Sequence, residues 1–145
     1  MFHKIIHTQN SKTTILIRLI AGAVFLSEGI QKFLFPALRG GGRFEKIGLP
    51  APESLGYLVG GFEIVCGVLI LIGFMTRLAS IPLILIMLVA IATTKADVLA
   101  NGGFWEMMHG SRTDCAMLLS GVFMGVEGSG RYSFDWRILN GKLER

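Results

Sequence analysis

The chain has 145 residues, 14 Lys+Arg against 10 Asp+Glu, and a formal net charge of +4. It is 52% hydrophobic and 17% charged, with a mean hydropathy of +0.60, which excludes a disordered chain and speaks against a soluble enzyme with a polar surface. Two cysteines are too few for a disulfide framework or a Cys-rich zinc or iron–sulfur site, and the small basic excess reads as lipid-headgroup and topology charge, with no nucleic-acid role expected.

The apolar residues fall into four blocks, and a membrane span needs ~20 of them. They predict helices over about residues 14–35, 55–74, 78–98 and 113–128. The first is interrupted by Arg18, Glu28 and Lys32, the second by Glu63. The third is free of charge through LASIPLILIMLVAIATT, and the fourth is short, with Thr113, Asp114 and Glu127 at its ends. Polar faces at helical period are nearly absent, which disfavours the rival reading, a soluble bundle of buried helices. Pro36 ends the first helix, Pro50 and Pro52 prepare the second, and Pro82 lies one turn into the third, where proline is tolerated. Residues 99–112 read as a connection. No second domain, repeat or cleaved signal peptide is expected; residues 1–145 form one transmembrane domain. The fold class is all-α, an integral membrane antiparallel four-helix bundle. GxxxG pairs at Gly56/Gly60 and Gly121/Gly125 suit close helix packing.

Four spans place both termini on one side. That side carries Lys4, Lys12, Arg18, Arg77, Arg131, Arg137, Lys142 and Arg145; the opposite side carries Lys32, Arg39, Arg43, Lys46, Lys95 and Arg112. The excess predicts a multi-pass protein of the inner (cytoplasmic) membrane with both termini cytoplasmic.

Charges inside a span cost about 2.5–3.5 kcal/mol each and need a reason. At 1.5 Å rise per residue, Glu28 lies roughly two-thirds of the way out along the first helix, and Glu63 lies ~13 Å below the outer end of the second. Lys32 and Lys95 lie near outer helix ends; Glu106, His109, Arg112 and Asp114 gather at the outer end of the fourth helix. Glu28, Lys32, Glu63, Lys95, His109, Arg112 and Asp114 are therefore expected around one outward-opening ligand or proton pocket. Glu28 and Lys32, at i,i+4, can pair. The alternative is structural, with the acids locking the bundle through hydrogen bonds and ion pairs. Arg18, Arg77, Glu127, Arg131 and Asp135 form an inner set expected to make structural ion pairs. No catalytic residue emerges.

Other candidates carry less. Cys66 and Cys115 differ in depth by ~10–15 Å, too far for a disulfide, and no CxxC is present. His3 and His7 have the spacing of a metal pair without a third ligand; with Phe2, Lys4, Ile5 and Ile6 they read as an interfacial amphipathic segment. No metal site is expected. The Gly40–Gly41–Gly42 run lacks the phosphate-loop signature and reads as a flexible extracytoplasmic turn. Phe104, Trp105, Tyr132 and Trp136 suit interfacial anchoring.

Several segments, in order along almost the whole chain, resemble the DoxX family of small four-helix bacterial membrane proteins. They are Arg18, Gly22 and FLSEGIQKFLFP (25–36), then GGFEIVCG (60–67) with Glu63 as the intramembrane acid, then GFMTRLA (73–79) with Met87 and Ala90, and finally GSGRYSFD (128–135), close to a GxGxxSxD ending. GFWEMMHGSRTD (103–114) resembles a subgroup feature and carries no role. The resemblance implies association with redox systems, such as a terminal quinol oxidase that uses thiosulfate or oxidative-stress complexes. Distant relatives are chaperone-like. Related quinone reductases use paired cysteines that this sequence lacks, so a redox role implies a bound quinone or an oxidoreductase partner subunit. The expected function is a redox-associated, quinone- or respiratory-linked membrane subunit. The alternatives are a non-enzymatic scaffold or chaperone-like protein, and a small-molecule transporter, which would require a homo-oligomer. Membrane lipid is an expected partner of such a chain.

Overall fold

The computed structural model describes residues 6–141. Of the expected interfacial segment, residues 2–5 lie outside the described residues, as do Lys4, Lys142 and Arg145 of the basic count; Ile6 is buried and His7 exposed. The described residues form helices and no strand: α1 (Thr14–Leu34), α2 (Pro36–Arg39), α3 (Gly41–Lys46), α4 (Pro52–Ile72), α5 (Thr76–Glu127) and α6 (Phe134–Gly141).

The first two apolar blocks appear as α1 and α4, the latter starting at Pro52, whose fixed φ suits the first helical turn. The expected connection over 99–112 is instead helical. α5 runs for 52 residues and is broken at Gly103, where φ 79 and ψ 178 leave helical space. Nothing lies within 4 Å of a Cβ built there, so conformation and not crowding calls for glycine. On either side of the break polar side chains bond their own helix's carbonyls: Asn101 Nδ2 donates to Asp97 O at 2.9 Å and Ser111 Oγ to Met107 O at 2.7 Å. Hydropathy marks only the part of a helix that matches hydrocarbon, so these polar turns were invisible to it. The two arms of α5, residues 76–102 and 104–127, return antiparallel: Arg77 Nη2 bonds Val126 O at 2.6 Å, Gly121 faces Ile84, and Lys95 Nζ bonds Gly110 O at 2.6 Å.

α1 and α4 meet through glycine. A Cβ on Gly29 would lie 2.8 Å from Gly60 O, and one on Gly67 2.8 Å from Leu26 N, so the backbones touch. One core joins the long helices and both arms: Ala21 and Phe25, Cys66 and Ile70, Ala79 and Leu83, Met117 and Met124. Leu16, Ile20, Val65, Leu119 and Val126 face outward, whereas Arg18, Lys32, Glu63 and Asp135 are buried. This is the reverse of a soluble protein's partition and suits a lipid solvent. Three helices, α1, α4 and α5, are long and apolar enough to cross a membrane.

Candidate functional site

At the end of the bundle away from the described termini lies a cavity of about 460 Å³, within the size range of ligand sites rather than packing defects. α1 supplies Phe25, Glu28 and Lys32 to it; α4 supplies Leu55, Val59 and Glu63. The first arm of α5 contributes Leu85, Val89, Thr93 and Thr94, and the second contributes Asp114 and Met117. Arg39, Arg43, Phe44 and Leu49 close the top.

Glu28 and Lys32 share a face of α1, but Lys32 turns to α4. Its Nζ lies 2.6 Å from Glu63 Oε2. The close approach of Gly29 and Gly60 one turn away makes this reach possible, with a Cβ on Gly60 falling 3.2 Å from Lys32 Cβ. Glu63 is 2% and Lys32 8% exposed, and a buried ion of either sign is tolerable only when paired. Glu28 is half-buried and lines the same cavity. Lys95 pairs with Asp114 at 3.0 Å and so joins the arms of α5 beside the cavity without lining it. His109 and Arg112 are exposed, bonded to each other at 3.3 Å, and do not line it; Glu106 is also exposed. Helical periodicity turns Asp114 inward and leaves these three on the outer face of the second arm.

Sequence reading missed Arg39 and Arg43, taken only as topology charges, and Thr93 and Thr94. The glycine run, expected as a flexible turn, is a packing device. A Cβ on Gly42 would collide with Ala37 O, and one on Gly41 would lie 2.9 Å from Glu53 Cα. The run folds α2 and α3 tightly over α1 and α4, which carries Arg39 and Arg43 onto the cavity. Two arginines at i,i+4 flanking consecutive glycines were the available signal. Thr93 and Thr94 donate to Val89 O at 2.8 Å and Ala90 O at 2.5 Å, leaving oxygen lone pairs free to accept.

The opposite end carries the inner charged set. Among the described residues, ion pairs within 4.0 Å are Lys32–Glu63 and Lys95–Asp114; the expected pairs among Arg18, Arg77, Glu127, Arg131 and Asp135 do not form. Backbone groups take their place. Arg18 donates to Ser129 O and Tyr132 O at 2.7 Å each, and to Leu71 O at 3.4 Å. Asp135 accepts from Met75 N–H at 2.9 Å and Thr76 N–H at 3.4 Å, satisfying orphan donors at the start of α5, where the helix dipole favours an anion. Burial pushes the Asp135 carboxyl above its usual range, against the pull of those two N–H groups. Arg77 caps Val126 O. Arg131 uses its backbone N–H on Ser11 O at 2.9 Å, and Glu127 O accepts from Gln9 N–H at 3.2 Å. Chain ends and turns present unpaired carbonyls and N–H groups at close range, so charged side chains find backbone before they find each other. Cys66 and Cys115 are both free thiols.

An apolar cavity with a charged rim, inside a bundle whose surface is apolar and whose charges are buried, defines an integral membrane helical protein. The family model described as DoxX matches residues 13–96, more than half of the chain, and the chain belongs to the DoxX family. It is 47% identical to "Uncharacterized membrane protein Rv3486" of Mycobacterium tuberculosis, an alignment covering 93% of this chain and 86% of that protein. It is 30% identical to "Putative oxidoreductase CatD" of Bacillus subtilis, covering 89% of each. No solved structure matches.

Proposed function

We propose that this DoxX-family protein is a redox-associated subunit of the bacterial cytoplasmic membrane that binds a quinone-type amphiphile in its outer cavity. In this reading residues 1–145 are one membrane domain, the two arms of α5 each cross, and both termini face the cytoplasm, as the basic count favours. The observation that carries the reading is the cavity of about 460 Å³, where apolar walls meet the buried Lys32–Glu63 pair. The name of the Bacillus relative points the same way.

The residues fit such a ligand. Quinone oxygens are acceptors, and Lys32, Arg39 and Arg43 at the rim are donors without acceptor character. Phe25, Leu85, Val89 and Met117 offer an apolar wall for ring and tail. A bound quinone would supply two-electron, two-proton chemistry, with electrons exchanged through an oxidoreductase partner. The chain's own part is to orient the head group and exclude water, with Glu28 and the Lys32–Glu63 pair facing it. Ion pairs in a low-dielectric site respond strongly to a neighbouring change of charge.

Purification in native lipid, followed by mass spectrometry of extracted small molecules, tests this. The wild type should retain quinone at near-stoichiometric level. Glu63→Gln, folded and membrane-inserted, should lose it at least tenfold. Wild type free of quinone but bound to a stable protein partner would replace this reading with the scaffold.

A further inference from the structure

A second recess lies at the opposite end of the molecule, where the last residue of α4 meets the start of α6. It measures about 370 Å³ and is lined by Ile72, Arg131, Tyr132, Phe134, Trp136 and Arg137. The site described above uses none of these residues.

Three features set its chemistry. The first is depth. Ile72 ends an apolar span, and Tyr132, Phe134 and Trp136 are the residue types that settle at headgroup level. Phe134 is anchored edge-on to Phe74, with ring centroids 5.6 Å apart. The second is charge. Arg131 and Arg137 are exposed and, among the described residues, have no acidic partner within 4.0 Å. Asp135, the acid between them in sequence, is turned inward onto Met75 and Thr76. The third is rigidity. Arg18 grips the carbonyls of Ser129 and Tyr132, and Thr8 Oγ1 accepts from Gly130 N–H at 2.6 Å. Ser133 Oγ donates to Gly130 O at 2.6 Å and accepts from Trp136 N–H at 3.1 Å, capping α6. Asp135 N–H bonds Gly73 O at 3.0 Å. The two guanidinium groups therefore leave a fixed backbone, so that on binding only the arginine side chains remain to be ordered.

We propose that this recess is a binding site for the headgroup of an anionic phospholipid in the leaflet on the side of the termini. Arg131 and Arg137 take the phosphate, and the aromatic residues and Ile72 take the glycerol and upper acyl chain. Guanidinium groups match phosphate oxygens in geometry as well as charge. A soluble phosphate would gain nothing from the aromatic and apolar walls, so the lipid is the occupant that uses the whole recess.

The full chain carries two tryptophans; Trp105, at the far end and 82% exposed, can be replaced by Phe so that Trp136 reports alone. In lipid nanodiscs, its fluorescence is titrated with brominated phosphatidylglycerol or brominated phosphatidylcholine. Half-maximal quenching is expected at a roughly 25-fold lower mole fraction of the anionic lipid, since each of the two arginines contributes about a fivefold preference. Arg131→Gln/Arg137→Gln should abolish the preference while helicity and thermal midpoint hold. The doubly Lys-substituted protein should keep most of it. Equal quenching by both lipids in the wild type overturns the proposal, as does a preference that survives the Gln pair.

Discussion

The two ends of this bundle bury the same kinds of side chain and use them differently. At the end bearing the termini, Arg18 and Asp135 bond main-chain carbonyls and N–H groups from three chain segments. The Arg18 Nη groups there are spent on holding turns, while its Nε has no partner. At the outer end, Lys32 and Glu63 are satisfied by each other and face a cavity. A side chain bonded to backbone cannot change partner without unfolding a turn. A side chain bonded to another side chain, beside empty space, can. Buried charge therefore marks structure at one end and supports a site at the other.

The largest effect is expected at the clamp. Arg18→Met removes three charged donors from buried carbonyls, each such bond being worth about 1.5–3 kcal/mol. The outcome should be a loss of roughly 3–5 kcal/mol, read as a fall in the thermal midpoint of the purified protein. Molecules that remain folded should keep their cavity ligand. A variant that stays stable but loses ligand would mean that the two ends are coupled and that the contrast is wrong.

A smaller and conditional effect is expected at the outer pair. Lys32→Met alone leaves the Glu63 carboxylate buried and unpaired, at a cost of about 3 kcal/mol, the low end for a broken buried pair. Lys32→Met/Glu63→Leu removes both charges and should recover much of that cost, because apolar replacement of a buried pair is often neutral. With Glu63→Leu completing the cycle, the coupling should be about 1–3 kcal/mol, while ligand retention is lost in all three variants. Additive costs would show that the pair is not an energetic unit.

The sequence made the membrane class, the main apolar spans and the acid at Glu63 legible, because lipid imposes a strong length rule and a strong penalty on charge. It hid what depends on registry between helices. Glu28 and Lys32 are correctly spaced to pair along α1, yet Gly29 against Gly60 brings α4 close enough to offer Lys32 a better partner. The partners of Arg18 and Asp135 were hidden for a related reason: backbone groups exist at every position and carry no residue-type signal. The helical stretch around Gly103 escaped notice because hydropathy measures immersion and not helicity. Arg39 and Arg43 were visible as charges, but their place above the cavity depends on how glycines 40–42 pack.

The smallest effect concerns Asp135 and pH. Burial holds its carboxyl pKa above the usual value, with the Met75 and Thr76 N–H groups opposing. A carboxyl with a raised folded pKa is still protonated over a window in which the unfolded chain has already ionised. The folded protein binds the extra proton there, so stability falls as pH rises from the ordinary carboxylate pKa through the raised one, and levels off above it. Asp135→Asn keeps an oxygen to accept from Met75 N–H and has no proton to lose. It should flatten that slope, costing about 1 kcal/mol or less at the acidic end and less still at neutral pH. Thermal midpoints of both proteins from roughly pH 4 to 8 give the comparison. Parallel curves would show that the slope arises from another acid. A large loss at all pH values would show that the ionised carboxylate anchors the start of α5, placing Asp135 beside Arg18 in the clamp's energetics as well as its geometry.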